Sequence, residues 1–129
     1  MKILLSLIIL LPSLALSCEK EVPLDVKWMN GKAPTEKSVG YLMIFAPIKY
    51  EGLSLGGLQL EAGKNKFSIM KYVSEEEFPG KALFEATMTL EFASRAKIFV
   101  HYTPDPIVHE DGRITGMPCL HIQEVEVKI

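Results

Sequence analysis

The chain has 129 residues, 48% of them hydrophobic and 23% charged, with 14 Lys+Arg against 16 Asp+Glu and a formal net charge of −2. This length and ordinary composition predict one globular domain and exclude a low-complexity or disordered chain. The slight acidic excess gives no basic patch, so we expect no nucleic-acid partner.

The first 17 residues have the layout of a secretory signal peptide. A basic start at Lys2 precedes an apolar run over 3–11, and small residues follow before position 18. The run is short for a membrane span, which needs roughly 20 apolar residues. We therefore predict a signal peptide over 1–17 and a single mature domain over 18–129, located in the periplasm or anchored to a membrane of the bacterial cell envelope.

Two cysteines, Cys18 and Cys119, have three alternative fates. Cys18 follows the leader directly, in the run Ser17-Cys18-Glu19-Lys20, which resembles the lipobox of bacterial lipoproteins. That resemblance implies a lipid anchor on Cys18 and leaves Cys119 as a buried thiol. Alternatively, the two cysteines form a disulfide, because exported compartments are oxidising. In the third alternative, neither modification occurs.

Alternating apolar and polar residues follow the leader and predict β-strands. The first strand covers 22–28, and Pro23 restricts it to the edge of a sheet. Asn30-Gly31 predicts a turn with positive φ. The run 39–48 is apolar on both faces and predicts a central strand. A glycine-containing loop within 58–69 predicts a hairpin.

The next segment contains one predicted helix and the most regular strand pattern. Ser74 to Glu77 has the form of a capping box and predicts a very short helix. Apolar residues at every second position from Phe84 to Phe92 predict a strand. A turn at Ser94-Arg95 leads to another strand over 98–102.

The last segment combines a long connection with a final strand. The three prolines and two glycines within 103–118 predict a surface loop. The apolar pattern over 120–129 changes phase at Gln123-Glu124, which predicts a β-bulge. With about seven strands in all, the chain is predicted to be an all-β, small antiparallel β-sandwich of Ig-like or cupredoxin-like type, with an OB-like barrel as the alternative.

Four residues are candidate zinc or copper ligands: His101, His109, Cys119 and His121. Cys119 and His121 are two positions apart and would share one face of a strand. The favoured interpretation is structural, because metal sites usually show tighter and repeated ligand spacing. In that interpretation, His109 is solvated in a loop and the other two histidines lie on the wetter face of their strands. We therefore expect no cofactor, with Zn or Cu as the alternative.

Two stretches resemble periplasmic copper chaperones with a cupredoxin-like sandwich fold. They comprise Trp28, Ala33-Pro34 and Tyr41-Leu42 in the first stretch, and Thr89-Leu90-Glu91-Phe92 with Ile98-Phe99-Val100 in the second. The resemblance implies a sandwich fold. Phe67, Ser68 and Met70 stand where that family has its His-x-Met, so the copper function does not carry over.

Catalytic motifs do not emerge from the sequence. It contains no Gly-x-Ser-x-Gly, and Gly52, Gly56 and Gly57 lack the Lys-Ser/Thr of a phosphate-binding loop. We predict a non-enzymatic, exported cell-envelope lipoprotein with a binding or structural role, an unknown protein partner and a membrane anchor at Cys18. The alternatives are a periplasmic metal-binding protein, or an inhibitor or immunity protein for an exported enzyme.

Overall fold

A computed structural model describes residues 21–115 and 121–129, so the predicted signal peptide, Cys18 and Cys119 lie outside the described residues. The described chain forms β1 (Asp25–Trp28), β2 (Gly40–Pro47), β3 (Lys49–Tyr50), β4 (Leu53–Ala62), β5 (Asn65–Ile69), β6 (Lys71–Val73), β7 (Lys81–Met88), α1 (Leu90–Arg95), β8 (Ala96–Pro104), β9 (Ile107–Val108), β10 (Ile114–Thr115) and β11 (His121–Glu126). A 3-10 turn covers Met29–Gly31. No helix in these two ranges is long and apolar enough to cross a bilayer.

Two antiparallel sheets form a small β-sandwich, as the alternating sequence pattern predicts. The first sheet has the strand order β1-β2-β7-β6, and the second has the order β11-β8-β4-β3 with β5 also paired to β4. The inward side chains of both sheets meet in one apolar core, to which the four central strands contribute Leu42, Ile44, Leu58, Leu60, Phe84, Met88, Ile98 and Val100. The predicted central strand over 39–48 is confirmed, because β2 lies between β1 and β7.

The sandwich has two ends, which differ in structure. The helix end is where Gly40 pairs with Met88 and where Ala62 pairs with Ala96. There α1 carries the chain from the first sheet to the second. The hairpin end is the opposite one, where the β9–β10 hairpin leaves the end of β8 and where β11 begins.

Local signals around residues 74–92 mislead the sequence prediction. The helix predicted from Ser74 to Glu77 is wrong: the Ser74 Oγ accepts a hydrogen bond from the Glu77 N–H at 3.3 Å, but 74–80 is a turn that ends at Gly80 with φ of 73°. The predicted strand from Phe84 ends at Met88 instead of Phe92. Thr89 then caps α1, since its hydroxyl accepts from the Phe92 N–H at 3.2 Å. The predicted turn at Ser94-Arg95 is the last part of α1.

The bulge also lies elsewhere than predicted. β11 pairs with β8 from His121 to Glu126 without a register shift, so the bulge predicted at Gln123-Glu124 is wrong. The shift occurs in β4, between Leu55 and Gly57. A Cβ on Gly56 would lie 3.2 Å from the His101 carbonyl oxygen, so glycine suits this close approach.

The remaining differences concern the surface loops. The segment 103–118, predicted as a loop, contains the end of β8 and the β9–β10 hairpin within its described part. Gly56 and Gly57 lie inside β4. The turn predicted at Asn30-Gly31 is confirmed, with φ of 58° and 68°.

Candidate binding groove between the edge strands

A wide depression of the described surface lies between β1 and β11. Each is the outermost strand of its sheet, on the same side of the sandwich. The edge position predicted from Pro23 is therefore confirmed for the first strand. An edge strand presents a row of unpaired backbone N–H and C=O groups. A groove of about 930 Å³ runs between the two edges, and we call it the seam groove.

Apolar side chains form the floor of the seam groove. Leu24, Val26 and Trp28 come from the first segment and Val125 comes from β11; all four are half-buried and pack against the core. The two-residue period places them on the inward face, while the polar residues between them point outward. From Val22 to Trp28 an extended chain covers about 20 Å at roughly 3.3 Å per residue, which sets the length of the groove.

Hydrogen bonds join the two edges at both ends of the groove. At the hairpin end, the side-chain amide of Gln123 accepts from the Val22 N–H at 2.8 Å and donates to the Val22 carbonyl at 2.9 Å. At the helix end, the Trp28 Nε1 donates to the Lys128 carbonyl at 2.8 Å. The edges are thus joined at these two points, with the apolar floor between them.

The rim of the seam groove is mildly acidic. Its charged residues are Glu21, Asp25, Lys27, Glu124, Glu126 and Lys128. Four acids against two bases favour a basic occupant. Lys27 is already engaged on the outer face, where its Nζ lies 3.3 Å from the Asp25 carboxylate and 5.1 Å from the centroid of the Phe45 ring.

The structure places the predicted metal ligands in different surroundings. His101 pairs with Ile122 on the outer face of the second sheet, whereas His121 pairs with Tyr102 on the inner face. His121 is only 7% exposed, so the expectation that it lies on the wetter face is wrong. His109 is exposed in the β9–β10 hairpin, as expected, and its Nε2 contacts the Thr115 hydroxyl.

These positions do not bring the candidate ligands together. His101 and His121 lie on opposite faces of one sheet. No group of three potential ligands occurs among residues 21–115 and 121–129. Cys119 lies outside the described residues, so its place relative to His121 stays a prediction.

Two polar residues hold the hairpin end in place. Tyr102 is fully buried, and its hydroxyl donates to the Pro47 carbonyl at 2.7 Å. Burial raises the pKa of Tyr102 to about 12. Asp105 accepts hydrogen bonds from the Ser54 hydroxyl and from the Lys49 ammonium group. The Ser54 hydroxyl is the main cause of a lowered Asp105 pKa; partial desolvation acts in the opposite direction, and Lys49 lowers the pKa further.

The contacts of Gln123, Tyr102 and Asp105 were not predicted from the sequence pattern. Gln123 is polar at a position where the alternation requires an inward side chain, and this mismatch is the reason for the predicted phase change. That mismatch was the available signal, since a polar residue at an inward position needs a partner. Its partners are the backbone of Val22, 101 residues away in the chain, and the His121 ring, whose Nε2 lies 3.3 Å from the Gln123 Oε1.

Comparisons with protein-family models, curated proteins and solved structures gave no match to this chain.

Proposed function

We propose that this chain is an exported protein of the bacterial cell envelope, lipid-anchored at Cys18, whose domain binds an extended segment of a partner protein in the seam groove without catalysing a reaction. The leader and the lipobox resemblance support export and anchoring. The seam groove supports binding, and it is the observation that carries the proposal.

An extended polypeptide fits the groove better than a compact ligand does. The two edge strands offer unpaired backbone groups, which an added strand satisfies through main-chain hydrogen bonds. The floor offers apolar contacts along about 20 Å. An extended segment lying along it would place every second side chain on the floor. Backbone pairing supplies affinity, and the alternate side chains supply specificity.

The charge of the rim indicates which side chains the bound partner segment carries. Asp25 and Lys27 neutralise each other, which leaves Glu124 and Glu126 on one side and Glu21 on the other. We therefore propose a segment with alternating apolar and basic residues. Opposite charges at the rim mainly steer association and set partner preference.

A displayed library of random peptides tests the groove in the mature chain. We expect enrichment of peptides in which apolar and basic residues alternate. The Glu124→Lys/Glu126→Lys variant reverses the charge of one rim at exposed positions, so it should select acidic peptides. Glu85→Lys is the matched control, because Glu85 is exposed on β7 away from the groove. Identical selections by the wild type and the rim variant would contradict groove binding.

Intact mass spectrometry of the protein from its membrane tests the anchor. We expect cleavage before Cys18 and an added diacylglyceryl mass on that residue. Loss of two hydrogens would instead identify the Cys18–Cys119 disulfide and refute the anchor. An unmodified mass would refute both modifications.

A further inference from the structure

The β9–β10 hairpin exposes aliphatic side chains at one end of the sandwich. Ile107, Val108 and Ile114 are 51%, 67% and 68% exposed. Val108 pairs directly with Ile114, so their side chains lie on the same face of the hairpin. A cluster of exposed aliphatic residues on a soluble domain commonly marks a contact with another protein or with a lipid surface.

The hairpin is held in a defined position by its base and its turn. At the base, the Asp105 N–H donates to the Gly52 carbonyl at 2.7 Å, while its carboxylate accepts from Ser54 and Lys49. In the turn, the His109 N–H donates to the Arg113 carbonyl at 2.8 Å. The aliphatic residues are therefore presented by a hydrogen-bonded hairpin.

The chain enters the described domain at this same end. Val22 is joined to Gln123 near the start of β11, and β11 begins beside Tyr102 near the end of β8, from which the hairpin leaves. Only four peptide units separate Cys18 from Val22, and they span at most about 14 Å when fully extended. A lipid attached to Cys18 would therefore hold the hairpin end close to the bilayer.

From this placement we propose that the Val108 and Ile114 face of the β9–β10 hairpin rests on the membrane and fixes the orientation of the anchored domain. This inference rests on the lipid anchor of the proposed function. The aliphatic side chains would enter the boundary between headgroups and acyl chains, where apolar burial is favourable. A second contact beside the anchor restricts rotation of the domain about its short tether.

The charges around the hairpin specify the kind of lipid surface. Glu110 and Asp111 lie in the hairpin turn, and Glu75, Glu76 and Glu77 lie in the loop that joins β6 to β7 at the same end. Asp111 is paired with Arg113 at 2.7 Å and Lys49 with Asp105 at 3.3 Å, so the remaining acids outnumber the exposed Lys81 at this end. An acidic end is repelled by anionic lipids, so the contact should favour zwitterionic headgroups.

Tryptophan quenching in vesicles tests the contact. The mature Cys119→Ser chain is coupled through Cys18 to a maleimide lipid in phosphatidylcholine vesicles that carry brominated acyl chains. Val108→Trp reports from the hairpin, and Val39→Trp is the matched control, because Val39 is 58% exposed at the helix end. The chain with Trp28 alone gives the background signal, and circular dichroism checks that each variant is folded.

The inference predicts a blue-shifted and several-fold more strongly quenched emission from Val108→Trp than from Val39→Trp. Adding phosphatidylglycerol should reduce the quenching at Val108→Trp, and salt should restore it. Equal quenching at both positions, or none at Val108→Trp, overturns the inference and leaves the hairpin as a surface for a protein partner. Because the synthetic tether fixes lipid to Cys18 in every case, this result is independent of whether the cell lipidates that residue.

Discussion

The two ends of the sandwich are closed by different kinds of contact. At the helix end, α1 covers the core with apolar groups: Ala93 is 2% exposed, and the rings of Phe92 and Phe67 lie 6.1 Å apart between centroids. At the hairpin end, hydrogen bonds from Tyr102 and Asp105 hold the connections in place.

The helix end therefore covers the core, whereas the hairpin end leaves side chains available for contacts outside the domain. The helix end uses aliphatic and aromatic side chains to exclude water from the core. The hairpin end is fixed by polar contacts, so the aliphatic residues of the β9–β10 hairpin stay exposed and available for a contact outside the domain. The comparison predicts that the hairpin end responds to pH, whereas the helix end responds to changes in packing.

The largest effect is expected from raising the pH, which tests how much the buried Tyr102 hydroxyl at the hairpin end stabilises the fold. The pKa of Tyr102 is about 12 in the folded chain against 10.0 as its ordinary value. The unfolded chain releases this proton first, so the stabilisation is fully present below pH 10 and is lost as the pH rises towards 12. Two pKa units set an upper bound of about 3 kcal/mol on this loss in the free energy of unfolding. Chemical denaturation across this range measures the loss, and Tyr102→Phe should lack that part of it.

An added methyl group at Gly40 tests how tightly the helix end is packed. A Cβ on Gly40 would lie 2.5 Å from the Pro34 Cδ and 2.8 Å from the Trp28 Cζ3. Gly40→Ala should therefore lower the free energy of unfolding by about 2 kcal/mol. Gly57→Ala is the control, because no atom lies within 4 Å of its added Cβ, and we expect a change below about 0.5 kcal/mol. Equal denaturation midpoints for the two variants would argue against tight packing at Gly40.

Sequence periodicity predicted the central strands because one buried face imposes a two-residue repeat. That repeat also runs through Leu90 and Phe92, which nevertheless belong to α1. The cause is tertiary: at this point the chain must cross from one sheet to the other, and Thr89 supplies the cap that begins a helix. An alternating pattern alone therefore does not predict the residue at which a strand ends and the chain leaves its sheet.

The seam groove could not be predicted from the sequence, because the alternating pattern does not specify which strands pair with each other. Pro23 correctly predicted an edge strand, but the sequence did not indicate that β11 would be the edge opposite it. His121 was predicted on the wetter face and is buried, because β11 runs beside β8 without the expected bulge. Contacts between residues 101 positions apart, such as Gln123 with Val22, follow from the assembled sheets.

Removing the Gln123 amide compares the two points at which hydrogen bonds join the sheet edges. Gln123→Met keeps a similar volume but leaves the Val22 N–H and carbonyl without their side-chain partner and removes the contact with the His121 ring. We expect a loss of about 1 kcal/mol in the free energy of unfolding and faster hydrogen exchange at the Val22 amide. Trp28→Phe removes the exposed bond at the helix end and should leave exchange at Val22 unchanged. Faster exchange in both variants would show that the two points act as one unit.

The smallest effect is expected from acidification, which protonates Asp105 at the base of the β9–β10 hairpin. The Ser54 hydroxyl, opposed by partial desolvation and assisted by Lys49, holds the pKa of Asp105 below its ordinary value. The stabilisation is therefore present above the ordinary pKa of about 3.9 and is lost as the pH falls through the lowered value. Hydrogen exchange of the Asp105 amide, which donates to Gly52, should accelerate in acid relative to backbone amides of the helix end. Asp105→Asn keeps an acceptor for Ser54 but has no charge to lose, so this acid-dependent acceleration should disappear. If the variant keeps the same pH dependence, another group controls the base of the hairpin.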